Sequence, residues 1–123
     1  MNNQAKKISI VIIGYNTESY LAETLNALNN LHVNQEDIEV IYVDDGSTDN
    51  SCDIFNTTAL NFRKKILKLK NNSGRVVARS KGIELANYDW ILFLNSNIQV
   101  NQDLIVEYIK STSHCDALVY MGS

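Results

Sequence analysis

The chain has 123 residues and a formal net charge of -3, with 45% hydrophobic and 20% charged residues. This length suits one domain, and the composition is that of a globular protein. The slight negative charge argues against nucleic acid as a partner, because binding to a phosphate backbone requires a basic face.

Short apolar and β-branched runs alternate with stretches of helical periodicity. In chain order, the predicted elements are a strand at 8–13, a helix at 18–31, a strand at 38–43, a helix at 50–62 capped by one of residues 47–49, a strand at 65–70, a helix at 75–86, a strand at 90–94, a helix at 103–112 capped near residue 101, and a strand at 117–121. This alternation predicts an α/β fold of three layers, with a mainly parallel sheet between helices. Because the chain stops directly after the fifth strand, we expect the sheet to continue in a longer protein.

The cysteines and the hydropathy pattern indicate the cellular compartment in which the protein is located. Cys52 and Cys115 stand in no metal-like or redox-like spacing, so we expect reduced, buried thiols, with a pairing of the two as the alternative. The apolar run at 8–13 is too short for a signal sequence, and no segment approaches a membrane span. We therefore predict a cytoplasmic protein; attachment to the cytoplasmic face of the membrane in a full-length form stays open.

Four polar clusters directly follow predicted strands. They occupy residues 14–16, 44–47, 71–74 and 95–97. In open parallel sheets, ligands bind outside the carboxyl ends of the strands, near the point where the strand order reverses. The pattern therefore predicts that all four clusters lie at one edge of the sheet and form a ligand site.

The second cluster contains two adjacent acids, Asp44 and Asp45, before a glycine. A carboxylate there can accept a hydrogen bond from a ribose hydroxyl or a base N–H. The alternative is that Asp44 or Asp49 caps the following helix. Because adjacent carboxylates repel each other, we favour a functional role for one of the pair.

Two further groups are candidates for phosphate or metal contacts. Arg75 and Arg79 lie one helical turn apart on a shared face and are placed to meet a diphosphate, with solvated surface charge as the alternative. The cluster Asn95-Ser96-Asn97 offers amide oxygens but no charge, whereas Mg²⁺ and Mn²⁺ prefer carboxylates. A simple polar turn is the alternative for this cluster.

Four segments, taken in order, resemble the motifs of family 2 glycosyltransferases of the GT-A fold. They are residues 10–16 (IVIIGYN), 43–51 (VDDGSTDNS), 72–82 with NSG and ARSKG at its two ends, and 93–97 (FLNSN). The resemblance runs from about residue 8 to about residue 109. It implies that residues 1–123 form a single, truncated GT-A domain, the Rossmann-like donor-binding half without the acceptor-binding half.

The resemblance also implies roles for individual residues. The backbone of Gly14 and Tyr15 would line the base and ribose of a nucleotide. Asp45 would contact the base or ribose, and Arg79 would face the phosphates. The family transfers a sugar from a nucleotide-diphosphate sugar to a hydroxyl acceptor, saccharide or lipid-linked, usually with Mg²⁺ or Mn²⁺.

Two departures from the family pattern change the expectation for this chain. Asn95, Ser96 and Asn97 occupy the place of the Asp-x-Asp motif, near the ribose, diphosphate and metal. With Asn97 in place of the acid that usually contacts the metal, we expect weak metal binding or none. No acidic residue is placed to act as the general base, so we expect the chain alone to be inactive.

Two other hypotheses stay open. The first is a non-catalytic nucleotide-binding or interaction module derived from the same fold, with a homodimer covering the exposed fifth strand as one form of it. The second is a phosphoacceptor receiver domain, which also has five βα units. In that class the acid pair follows the first strand, whereas here it follows the second.

Overall fold

A computed structural model of the chain describes residues 7–31, 33–95 and 118–121. Its elements, in chain order, are β1 (Ile8–Gly14), α1 (Leu21–Asn29), a short 3-10 helix (Gln35–Asp37), β2 (Ile38–Asp44), α2 (Ser51–Thr57), β3 (Arg63–Lys68), α3 (Arg75–Leu85), β4 (Trp90–Asn95) and β5 (Leu118–Met121). The helix predicted at 103–112, its cap near residue 101, and Cys115 lie outside the described residues.

The five strands form one sheet in the order β3-β2-β1-β4-β5, and every neighbouring pair is parallel. The chain adds strands outward from β1 on one side and then crosses to the other, so the order reverses between β1 and β4. This is the Rossmann strand order 3-2-1-4-5-6 over its first five strands. It excludes the receiver-domain hypothesis, whose order 2-1-3-4-5 places the first strand elsewhere.

Helices cover both faces of the sheet. Alternate residues of β1 belong to different cores: Ile10 and Ile12 pack with α1 and α2, whereas Val11 packs with Ala78 of α3. Strands buried on both faces are near-continuous apolar runs, as β1 and β2 are. The predicted three-layer α/β class is therefore confirmed.

Helix α3 lies unusually close to the sheet. A Cβ atom added at Gly82 would lie 2.5 Å from Cγ1 of Val11, which is shorter than any real carbon–carbon contact of this kind. The absence of a side chain at Gly82 therefore lets the helix backbone rest directly on β1. Since α3 runs back along the sheet, its first turn lies at the carboxyl edge.

Two predicted helices are shorter than expected. Helix α1 begins at Leu21 rather than at residue 18, because residues 17–20 form a turn in which the N–H groups of Tyr20 and Leu21 both donate to the Thr17 carbonyl. Helix α2 ends at Thr57 rather than at residue 62, since Thr58 adopts extended backbone. The Thr57 and Thr58 hydroxyls donate to carbonyls of the preceding turn, which competes with continued helix.

Strand β3 spans 63–68 rather than 65–70 and fastens a helix on each face of the sheet. The Nζ of Lys64 donates to Phe55 and Thr58 carbonyls at the end of α2. The Nζ of Lys65, on the opposite face, donates to the Leu85 carbonyl at the end of α3. A cation at a helix C-terminus is stabilising, so adjacent lysines on the edge strand anchor both helical layers.

Among the described residues, no helix combines the length and the apolar character that crossing a membrane requires.

Candidate functional site

The polar clusters that follow β1, β2 and β4 lie at the same edge of the sheet. In the strand register Gly14 is paired with Asp44 and Ile13 with Asn95. The edge between β1 and β4 is the point where the strand order reverses, which is the usual ligand position in open α/β sheets. Ser96 and Asn97, which complete the last cluster, lie outside the described residues.

Asp45 joins three loops at this edge. Its Oδ1 accepts the Ser73 N–H at 2.7 Å and its Oδ2 accepts the Gly74 N–H at 3.0 Å, so the carboxylate holds the segment that leads into α3. Its own N–H donates to the Gly14 carbonyl at 2.8 Å. Only 6% of the residue is exposed, yet each carboxylate oxygen retains a lone pair for a further donor.

Asp44 has a different environment from its neighbour. It is fully buried, and its carboxylate accepts hydrogen bonds from the Tyr42 hydroxyl at 3.0 Å and from the Ser47 N–H and hydroxyl at 2.8 and 2.6 Å. All of these partners are internal. Asp44 therefore stabilises the turn after β2 and is not accessible to a ligand.

The capping alternative for the two acids is resolved by the start of α2. The N-cap residue is Asn50 rather than one of residues 47–49, and its side chain makes no capping hydrogen bond. The backbone N–H that Asp44 accepts is that of Ser47, in the turn before the helix. Asp49 precedes the N-cap residue, and its Oδ1 accepts the N–H of Ser51, the first residue of the helix, at 3.0 Å.

Asp49 also reaches the loop after β1. Its Oδ2 accepts the Glu18 N–H at 3.1 Å, and the Glu18 side chain in turn accepts the Asn50 N–H at 2.9 Å. Burial acts to raise the pKa of the Asp49 carboxyl, but the hydrogen bonds from Ser51 and Glu18 outweigh it and hold the pKa below its ordinary value. The carboxylate is therefore ionised and bound at neutral pH.

Residues 16–18 and 47–51 are joined by a set of hydrogen bonds that we call the loop clamp. The Asn16 N–H donates to Ser47 Oγ at 2.7 Å, and Asn16 Oδ1 accepts the Thr48 N–H at 2.8 Å. The Thr17 N–H donates to Ser51 Oγ at 2.8 Å. With the Asp49–Glu18 contacts, the clamp fixes the loop after β1 against the loop after β2.

Gly46 brings the loop after β2 against the loop after β3. Its φ is +84°, and a Cβ atom built there would lie 2.6 Å from the Asn72 nitrogen and 2.7 Å from the Asn71 carbonyl carbon. Both contacts are with backbone, which cannot rotate away. The position therefore requires glycine for its conformation and for its space.

The buried groups beneath the clamp are not poised for catalysis. Burial raises the pKa of Tyr42, so its hydroxyl stays protonated and can donate to Asp44. Burial and the nearby Asp44 carboxylate raise the pKa of the half-buried Cys52 thiol, which is free. A thiol with a raised pKa is a poor nucleophile.

Two side chains named from the sequence remain accessible beside the loops. Tyr15 is 46% exposed and follows Gly14 directly. Arg79 is half-buried on the second turn of α3, with its guanidinium carbon 5.7 Å from the centre of the Phe93 ring on β4. Stacking of this kind holds the cation over the sheet, whereas Arg75 on the first turn is exposed.

A divalent cation finds few donors in the described part of the chain. Those residues contain no group of three His, Cys, Asp or Glu side chains arranged around a common point. Asp44 and Asp49 are bound by N–H and O–H groups, and Asp45 holds the amides of residues 73 and 74. The described donor set therefore does not fit Mg²⁺ or Mn²⁺, which prefer free carboxylate oxygens.

A cleft of about 370 Å³ lies at the opposite edge of the sheet, lined by Gln35, Glu36, Ile38, Arg63 and Tyr88. Ile38 and Arg63 begin β2 and β3, so this cleft opens at the amino ends of the strands. Ligands of open parallel sheets bind at the other edge. We therefore place the candidate site at the carboxyl edge.

The sequence places Asn16 and Ser47 in two of the polar clusters at this edge, and Ser51 at the end of a family motif. It does not predict the hydrogen bonds that join these residues. One signal was available: small oxygen-bearing side chains beside a glycine are suited to accept backbone N–H bonds in tight turns. Their partners, about 30 positions away, were not predictable.

Comparison with known proteins gives one family. The family model described as "Glycosyl transferase family 2" matches residues 9–122. A poly(ribitol-phosphate) beta-glucosyltransferase of Bacillus spizizenii is 31% identical over 94% of this chain and 19% of its own length. Glycosyltransferase GlyG of Streptococcus pneumoniae is 34% identical over 94% of this chain and 38% of its own length. The chain thus spans well under half of these relatives.

Solved structures agree with the family match. Residues 1–349 of the Staphylococcus aureus protein TarS, crystallised in complex with UDP-GlcNAc, superpose with a TM-score of 0.76 at 29% identity, over 83% of this chain and 30% of that chain. Mannosyltransferase PcManGT of Pyrobaculum calidifontis, solved with GDP-Man and Mn²⁺, has a TM-score of 0.78 over 89% of this chain and 34% of its own. At 15% identity, that second likeness concerns the fold alone.

Proposed function

This chain belongs to glycosyl transferase family 2, and from that membership we propose that it supplies the donor-binding half of a sugar transferase. The donor is a nucleoside-diphosphate sugar, and the acceptor is a hydroxyl group of a saccharide or a lipid-linked molecule. The relatives extend well beyond the matched region. The acceptor site and the general base belong, in this proposal, to a part of the enzyme that these residues do not supply.

The observation that carries the proposal is the position of Asp45. Its carboxylate lies at the carboxyl edge of the sheet, is almost fully buried, and is held by the amides of Ser73 and Gly74. A fixed carboxylate with lone pairs left over can accept a ring N–H or a ribose hydroxyl with little cost in side-chain entropy. We propose that it contacts the base or the ribose of the donor.

The other site residues complete a path for the nucleotide. The backbone of Gly14 and Tyr15 would line the base and ribose, with the exposed Tyr15 ring available for contact. Arg79, stacked over Phe93, would face the diphosphate. Asn95 ends β4 beside β1, and with Ser96 and Asn97 it would lie near the ribose and diphosphate.

We assign no step of this function to a metal ion. Asn97 offers an amide oxygen where the family pattern has an acid, and the carboxylates of Asp44 and Asp49 at this edge are bound by internal N–H and O–H donors. Neutral oxygen ligands alone bind Mg²⁺ or Mn²⁺ weakly, because affinity depends on the charge of the ligands. Arg79 supplies a positive charge for the diphosphate without a metal.

A second candidate function is a nucleotide-binding or interaction module without catalysis. The residue that favours it is Asn97, since loss of the acid would affect transfer before it affected nucleotide binding. A homodimer that covers the edge of β5 belongs to this candidate. For either function we propose a cytoplasmic location, which suits cysteines without disulfide spacing.

Calorimetric titration with UDP, GDP and dTDP, each with and without Mn²⁺, tests the proposal. We expect one nucleotide to bind and the Asp45→Ala variant to bind it at least about tenfold more weakly, because a hydrogen bond to a charged group contributes about 1.5–3 kcal/mol. Mn²⁺ is expected to change the affinity little. Asp53→Ala, which removes an exposed acid of α2, is the matched control and should bind as the parent does.

Two results would count against this proposal. Absence of binding by all three nucleotides would remove the donor-site assignment. Equal affinities for the parent and a folded Asp45→Ala variant would remove Asp45 from the site. Folding of each variant is checked by circular dichroism at the titration temperature, since Asp45 also holds the start of α3.

A further inference from the structure

Asn16 has the backbone conformation that side chains seldom adopt. Its φ is +53°, and it is the one non-glycine residue with a positive φ in the described part of the chain. Left-handed backbone costs most residues roughly 1–2 kcal/mol, and asparagine is among those that tolerate it best. Such a conformation persists only when the surroundings fix it, and the contacts of Asn16 show what does so.

Those contacts all lead to the loop after β2. The Asn16 N–H donates to Ser47 Oγ at 2.7 Å, and its side-chain oxygen accepts the Thr48 N–H at 2.8 Å. Ser47 Oγ itself donates to the buried Asp44 carboxylate, so the acceptor cannot rotate freely. The asparagine is thus bound through both its backbone and its side chain to a rigid partner.

The consequence falls on Tyr15, which lies between two anchored residues. On one side the Gly14 carbonyl accepts the Asp45 N–H at 2.8 Å, and on the other side Asn16 is clamped to Ser47 and Thr48. The peptide groups of residue 15 therefore have a fixed direction, although the Tyr15 side chain is 46% exposed. Without the Asn16 contacts, only the Gly14 side would remain fixed.

We propose that Asn16 is a positioning residue of the donor site, which sets nucleotide affinity by fixing the backbone of Gly14 and Tyr15 through Ser47 and Thr48. This inference rests on the proposed function, because it takes Gly14 and Tyr15 to line the nucleotide. The inference adds Asn16 to the residues of the donor site and gives it a role. Nucleotide affinity depends on the contact of Asn16 with the loop after β2 and not on a group that Asn16 presents to the ligand.

Calorimetric titration of three variants with the nucleotide that the parent binds tests this inference. Asn16→Gly keeps the positive φ and removes the side chain, and we expect affinity to fall about tenfold, as loss of preorganisation predicts. Ser47→Ala removes the acceptor of the Asn16 N–H from a buried position, and we expect a fall of about fivefold. The two changes break different hydrogen bonds between the same two loops, so the double variant should lose less than the product of the single effects, about 50-fold.

A rescue separates positioning from general loss of structure. Asn16→Asp keeps an oxygen that can accept the Thr48 N–H and tolerates the same φ. At high salt, where its added charge is screened, it should restore affinity to within about threefold of the parent. The thermal midpoints of all variants are measured beside the affinities, so that each titration is made on folded protein.

The outcomes distinguish a failure of the positioning role of Asn16 from a failure of the proposed donor-binding function. Equal affinities for the parent and Asn16→Gly would overturn the positioning role and leave the donor site in place. Effects that multiply in the double variant, or a failed rescue by Asn16→Asp, would mean that Asn16 contacts the ligand itself and would also overturn it. A parent chain that binds no nucleotide would overturn both the inference and the proposed function.

Discussion

Replacing Gly46 by alanine is expected to lower the free energy of unfolding by about 2–5 kcal/mol. Two costs add. Positive φ costs an alanine about 1–2 kcal/mol, and forcing a methyl group against packed atoms typically costs about 1–3 kcal/mol. The methyl group would lie 2.6 Å from the Asn72 nitrogen, so the loops after β2 and β3 would have to separate.

Gly74→Ala is the matched control, measured with Gly46→Ala in the same urea unfolding experiment. Gly74 also has a positive φ, +95°, but no atom lies within 4 Å of the Cβ that alanine would add. With ψ 162° its backbone is extended, so alanine there should show only the backbone cost of about 1–3 kcal/mol. Equal losses of stability for the two variants would contradict the close approach of the two loops.

The second large effect is expected at Asp44, where alanine should cost about 3–4 kcal/mol of stability. Removing the carboxylate takes the acceptor from the buried Ser47 N–H and hydroxyl, and each such group costs about 1–3 kcal/mol. The stability of Asp44→Asn should lie between those of the parent and the alanine variant. The asparagine amide keeps one oxygen that can accept a hydrogen bond, but its NH₂ group cannot accept one from the other buried donors.

Asp53→Ala is the control for Asp44, measured by the same chemical unfolding. Asp53 is exposed in the first turn of α2, where an acid contributes at most about 1 kcal/mol through the helix dipole. A larger loss of stability for Asp44→Ala than for Asp53→Ala would show that Asp44 stabilises the fold, whereas the adjacent Asp45 is proposed to bind the donor. If Asp44→Ala were as stable as Asp53→Ala, the buried hydrogen bonds would contribute little, and that assignment would be wrong.

The fold was predictable because strands β1 and β2 are buried on both faces. The apolar runs at 8–13 and 38–43 were long enough to identify, and their alternation with helical stretches required a parallel sheet. Helix ends were less predictable. The start of α1 depends on a turn at Thr17, whose N–H bonds to Ser51, and such a contact has no local signal in the sequence.

The candidate site was predictable in position but not in its internal contacts. Strand ends placed Gly14, Asp44 and Asn95 at one edge, since this follows from parallel strands alone. Which of the adjacent acids stabilises the turn after β2 could not be predicted, because it depends on Tyr42 and Ser47 both donating to the Asp44 carboxylate. The role of Asn16 likewise required knowing which loop lies beside it.

The most direct measurement of the donor site is the set of backbone amide shifts of the isotope-labelled chain during titration with UDP, the nucleotide in the TarS structures. The account predicts that the largest shifts fall at Tyr15, Asp45 and the amides of Ser73 and Gly74. Shifts concentrated instead around the cleft of Arg63 and Tyr88, at the opposite edge, would contradict it.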